Sequence, residues 1–114
     1  MSEDAVDLAV FNELRDTAGA DFVAELVGTF CDEAKGILAE LSEAGAAGDA
    51  VRCKRAAHSL KSNANTFGAS RLAAMARDIE LKGLGPDASR QVADLTAEYE
   101  RAALCLREMA NVRT

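Results

Sequence analysis

Apolar residues recur at steps of three and four along most of this chain, the spacing that lines up side chains on one face of a helix. The longest such run is Val23, Val27, Phe30, Ala34, Ile37 and Leu41, which predicts a helix opening near Asp21 and running to about Ala44. Before it, Leu8, Phe11 and Leu14 form a shorter stripe, predicting a helix over about Asp7–Thr17. The segment "AGAD" breaks this first helix, with Gly19 marking the stop. After the second helix, "AGAAGD" reads as a glycine-rich turn, with Asp49 as the N-cap of the third helix.

Cys53, Ala57, Leu60, Ala64 and Phe67 predict that third helix over about Ala50–Thr66, stopped by Gly68. Ser70 is expected to cap a fourth, whose stripe is Leu72, Met75, Ala76 and Ile79. "KGLGPD" is the clearest break, and its proline suits the start of a last helix over about Asp87–Asn111. That helix repeats Val92, Leu95, Tyr99, Ala102, Leu106 and Met109. No alternating run suggests a strand. The expected fold is all-α: an antiparallel up-and-down four-helix bundle with a short N-terminal capping helix. With 114 residues and no internal repeat or linker, residues 1–114 read as a single domain. One long apolar stripe per helix suits a monomer.

Composition supports this and removes several functions. The chain is 49% hydrophobic but only 4% aromatic, with one proline and abundant alanine, a mixture that favours packed helix. No apolar window approaches a membrane span, and the acidic N-terminus lacks the features of a secretory signal, so a cytoplasmic location is expected. Three cysteines (Cys31, Cys53, Cys105) without close pairing suggest reduced thiols rather than a disulfide framework or a zinc site.

Charge is unevenly placed. Met1–Ala50 holds 12 acids and 2 bases, whereas Val51–Thr114 holds 7 acids and 11 bases. Between Val51 and Arg77 lie six bases (Arg52, Lys54, Arg55, Lys61, Arg71, Arg77) and no acid. A local basic run on an acidic protein suggests an anionic partner surface. Nucleic acid fits poorly, because the net charge of −6 opposes it and no aromatic platform accompanies the bases.

The only histidine, His58, sits inside that run. On a helical wheel it points about 140° away from the mean direction of the third helix's apolar stripe, so it should be exposed. Lys61 and Ser62 follow at i+3 and i+4, Asn65 at i+7, and Lys54 and Arg55 lie one turn earlier. No carboxylate lies near it on its own helix to build a Ser-His-Asp unit. Arg55 stands where a Glu-x-x-His metal motif would need glutamate. On these residues three readings stand: an exposed nucleophile flanked by cations, a non-catalytic helical-bundle adaptor or inhibitor binding an acidic partner surface, and a metal-binding bundle.

His58-Ser59-Leu60-Lys61-Ser62 followed by Gly68 resembles the signature H-x-L-K-G/S-x(5)-G of histidine-containing phosphotransfer (HPt) domains. "AVRCKRAAHSLKSNANTFGASRLAAMARDIE", residues 50–80, is similar to the family pattern through the fourth helix. The resemblance implies a phosphorelay intermediate without independent catalysis. His58 Nε2 would carry a phosphoryl group between receiver-domain aspartates of a hybrid histidine kinase and a response regulator. Lys61 would counter the phosphoryl charge, and Gly68 would make the turn between two helices. Ser62 stands where the family usually has glycine, keeping the position small. Glu80 falls about where the family places a polar partner for the other ring nitrogen. Lys54, Arg55 and Asn65 would contact the partner, with Phe67 or Ala64 in an apolar rim. The chain itself would bind no cofactor or metal, and Mg²⁺ would belong to the partner's receiver domain.

Overall fold

A computed structural model describes residues 5–111. Five α-helices follow one another: α1 (Leu8–Ala18), α2 (Ala20–Ala47), α3 (Ala50–Thr66), α4 (Ser70–Lys82) and α5 (Ala88–Ala110). No strand occurs among the described residues. α2 packs against α3 and α5, α4 packs against α3 and α5, and α1 lies against α2. One buried cluster draws side chains from all five helices, including Phe11, Phe30, Leu41, Leu60, Leu72, Leu95 and Leu106.

The helix ends have local causes. The Asp7 carboxylate accepts from Ala9 N, and the Asp49 carboxylate from Arg52 N, so each satisfies an amide that its helix cannot. α2 runs three residues past the expected Ala44, because the alanines after it are strong helix formers. It ends at Gly48 in the left-handed region, where the Asp49 amide bonds back to the Ala44 carbonyl. Ser70 is not a cap but the first residue of α4. Ala69 precedes the helix without a side-chain bond, and the Ser70 hydroxyl turns to the Gly68 carbonyl at 3.4 Å.

The core follows the apolar stripes with shifts that packing explains. α2 is flanked on two sides, so its buried face is wider than the sequence stripe. Leu38 and Cys31 join the core, and Ile37 is only half-buried. Met75, Val92 and Met109 are likewise half-buried, and Leu8 is exposed because α1 has neighbours on one side only. Tyr99 places its hydroxyl on the Cys31 carbonyl at 3.1 Å, linking α5 to α2 inside the core. Burial and this bond push its phenol pKa up to about 12.

Gly68 joins the α3–α4 turn to the start of α1. Its φ is 78°, and the Asp7 amide donates to its carbonyl at 2.7 Å. A Cβ at this position would lie 2.9 Å from the Asp7 carbonyl oxygen and 2.9 Å from Val10 Cβ. Glycine is required here both for the left-handed backbone and for the approach of α1.

Candidate functional site

His58 lies midway along α3, outward as its helical phase requires, with 58% of its side chain exposed. The buried face of the helix is mostly small, with Ala56, Ala57 and Ala64 beside Cys53 and Leu60. Small side chains let neighbouring helices approach closely. They bring carboxylates beside a stretch that has none in its own sequence. The site is therefore not free of acids in three dimensions.

Glu80, late in α4, is the nearest of these. Its Oε2 lies 2.6 Å from His58 Nδ1, and its Oε1 lies 2.7 Å from Lys61 Nζ. The Glu80 side chain is only 13% exposed, so both contacts are partly shielded from water. The Lys61 ammonium, and next the His58 ring, hold the Glu80 carboxyl below its ordinary value, against an opposing push from burial. An ionised carboxylate can only accept hydrogen bonds, so Nδ1 must carry the ring proton. In the neutral ring the lone pair then sits on Nε2, away from Glu80. Sequence spacing places Lys61 beside the histidine. In the folded chain its charge is also engaged by the carboxylate that orients the ring.

A second carboxylate pair acts across α2 and α3. Arg52 grips Glu40 with two bonds, Nε to Oε2 and Nη2 to Oε1, each 2.8 Å, with Glu43 3.7 Å away. The guanidinium holds the Glu40 carboxyl below its usual range. Arg52 is thereby neutralised. Among the described residues, no hydrogen bond or ion pair holds Lys54 or Arg55, and both are exposed beside His58.

Two depressions flank the histidine. One, of about 610 Å³, lies between α2 and α3 and is lined in part by Gly36, Ile37, Glu40, His58, Ser59 and Ser62. The other, about 350 Å³, is formed by Val51, Lys54, Arg55, His58, Ser59 and Glu80. Ser62 is exposed on the α2 side. Asn65 lines neither depression, since it lies two turns further along α3. Asn63, which faces α2, lines the first. Phe67 and Ala64 do not form an apolar rim. Ala64 is fully buried, and the Phe67 ring packs on Phe30 with centroids 5.1 Å apart. The exposed apolar side chain beside His58 is Val51, at 66%. Its position seven before His58 is the sequence signal that points to it, because two helical turns return to the same face. The α2 residues carry no such signal, because the interhelical register sets their place.

Among the described residues, no three His, Cys, Asp or Glu side chains converge to hold a metal ion. Nor is any helix among them long and apolar enough to cross a membrane.

The family model described as Hpt domain matches residues 25–105. No curated protein sequence matches the chain. Among solved structures, the chain is similar to histidine-containing phosphotransfer protein B (HptB) from Pseudomonas aeruginosa PAO1. The TM-score is 0.87 at 23% sequence identity, covering 98% of this chain and 100% of that one. At that identity the likeness speaks for the fold.

Proposed function

Because the chain belongs to the Hpt domain family, and so is a histidine phosphotransfer intermediate of a two-component phosphorelay rather than an independent catalyst, we propose that His58 is the residue that carries the phosphoryl group. The observation that carries this reading is the 2.6 Å contact between His58 Nδ1 and Glu80. It leaves Nε2 of the chain's single histidine exposed, with its lone pair free.

The partner is a receiver domain bearing an aspartyl phosphate. The Nε2 lone pair attacks phosphorus, the N–P bond forms, and the P–O bond to the aspartate breaks with its electron pair leaving on the carboxylate. Nδ1 keeps its proton throughout, and the Glu80 carboxylate offsets the positive charge that develops on the ring. Onward transfer is the same step reversed on a second aspartate. Mg²⁺ held by the receiver would offset charge on the phosphoryl oxygens. Lys61 keeps Glu80 ionised and adds a positive charge one turn from the ring. Lys54 and Arg55, held by no hydrogen bond or ion pair among the described residues, suit an acidic receiver pocket. Ser62 keeps the space one turn after His58 small.

Finer features of the arrangement belong to the same reading. The short α2–α3 and α3–α4 connections and the pairwise packing support four helices running alternately up and down, with α1 across one end. The single core cluster supports one domain, which we take to act as a monomer. A cytoplasmic relay between a hybrid kinase and a response regulator is the setting we infer.

The test is incubation with a labelled phospho-receiver. The wild type should take up acid-labile, alkali-stable label, and His58→Gln should take up none. Label persisting in His58→Gln refutes the assignment. A partner function that survives that change but is lost on changing Lys54 and Arg55 would favour the non-catalytic adaptor.

A further inference from the structure

Three glycines interrupt the long α2: Gly28, Gly36 and Gly45. A glycine inside a helix is destabilising relative to alanine, so each calls for a reason. Gly45 has one within the chain, because a Cβ there would lie 2.9 Å from Leu84 Cδ1. Gly28 and Gly36 have none: a Cβ at either would meet nothing within 4 Å, and neither has positive φ. They differ in surroundings. Gly36 lines the depression between α2 and α3 that His58 also lines, and Gly28 does not.

We propose that Gly36 is a docking determinant for the receiver domain: its missing side chain leaves open the space that the receiver surface fills when its aspartyl phosphate meets His58. The inference rests on the phosphotransfer reading above and deepens it. The occupant follows from geometry. A receiver that brings its aspartyl phosphate to the exposed ring must lie against this face of α3, and the depression is continuous with the ring through Ser59 and Ser62. Its lining is small or half-buried near Gly36 and His58 (Ala56, Ser59, Ser62, Ile37), which admits close approach of another backbone. The Arg52–Glu40 clamp lies in the same lining and ties α2 to α3, so the depression is held open before docking. A Cβ at Gly36 meets nothing within 4 Å, so a leucine there would extend into that space.

The experiment compares Gly36→Leu, Gly28→Leu and wild type with two phosphoryl donors: a phosphorylated receiver and phosphoramidate, a small P–N donor that needs no docking. Thermal unfolding is followed alongside. Gly36→Leu should lose receiver-dependent transfer by about tenfold or more, the scale of a clash in a packed interface. It should keep wild-type labelling by phosphoramidate and unfold no earlier than wild type. Gly28→Leu should match the wild type with both donors. Equal receiver-dependent rates for Gly36→Leu and wild type overturn this inference alone, as does an equal loss in Gly28→Leu or a loss of phosphoramidate labelling in Gly36→Leu. A wild type that takes no label from either donor overturns the phosphotransfer reading and this inference with it.

Discussion

Gly68→Ala tests how the site's hairpin is held to the rest of the fold, and Gly48→Ala is its internal control. Both glycines have positive φ, 78° and 68°. An alanine at either incurs the left-handed backbone strain of roughly 1 kcal/mol. At Gly48 the added Cβ meets nothing within 4 Å, so the cost should stop there. At Gly68 it would lie 2.9 Å from a backbone oxygen and 2.9 Å from a Cβ of α1, neither of which can swing aside like a flexible side-chain end. Relief requires moving α1, which stretches the 2.7 Å bond from Asp7 N to the Gly68 carbonyl. Overpacking of this kind costs about 1–3 kcal/mol. The total for Gly68→Ala is therefore about 2–4 kcal/mol, against about 1 for Gly48→Ala. Urea unfolding followed by circular dichroism measures both. A midpoint temperature lowered by about 10 °C for Gly68→Ala and about 4 °C for Gly48→Ala is the calorimetric counterpart. Equal losses for the two variants would refute the reasoning, because they would leave no cost for the approach of α1.

Three further outcomes rest on the charged and buried groups. In the wild type, the nitrogen spectrum of the neutral His58 ring should give the Nδ1–H form, and Glu80→Ala should weaken that preference; a dominant Nε2–H form in the wild type would contradict the Glu80 contact. Because the folded-state pKa of Glu80 is lowered, its ionised form stabilises the fold fully above the ordinary value of 4.5. That contribution is lost as pH falls through the lower folded value. The stability difference between wild type and Glu80→Gln should therefore shrink as pH falls below 4.5, and a difference that grows there would contradict it. Tyr99 is the only tyrosine, so absorbance near 295 nm follows it alone. Its ionisation should centre near 12, and the stability it contributes should be full below 10 and fall as pH rises from 10 towards 12. A midpoint at 10 in the folded protein would refute its burial against Cys31.

Much of the fold is legible because period and punctuation agree in this sequence. The α3 stripe is buried throughout, and Asp49 caps as its position suggests. What the periodicity misses depends on neighbours. Leu38 rather than Ile37 is buried because α2 packs against both α3 and α5, which the α2 sequence alone does not encode. Glu98 reads as a surface position, yet it is buried at 6% exposure on α5, with Arg71 3.4 Å and Arg101 3.2 Å away to meet its charge. At the site, the exposure of His58 follows from helical phase alone. Glu80 is reached only through the family resemblance, because it is 22 residues away in sequence. The acid-free run from Val51 to Arg77 is real in sequence but not in space. Glu40 and Glu80 enter from α2 and α4, and an electrostatic reading along one helix cannot anticipate either.

Phosphotransfer by this site turns on one atom, Nε2 of His58. Phosphorylating nitrogen-15-labelled protein and recording phosphorus–nitrogen coupling identifies the atom that bears the phosphoryl group. A single phosphorus signal coupled to His58 Nε2 is expected, with Nδ1 still protonated and facing Glu80. Coupling to Nδ1, or a phosphoryl group on any residue other than His58, would contradict it.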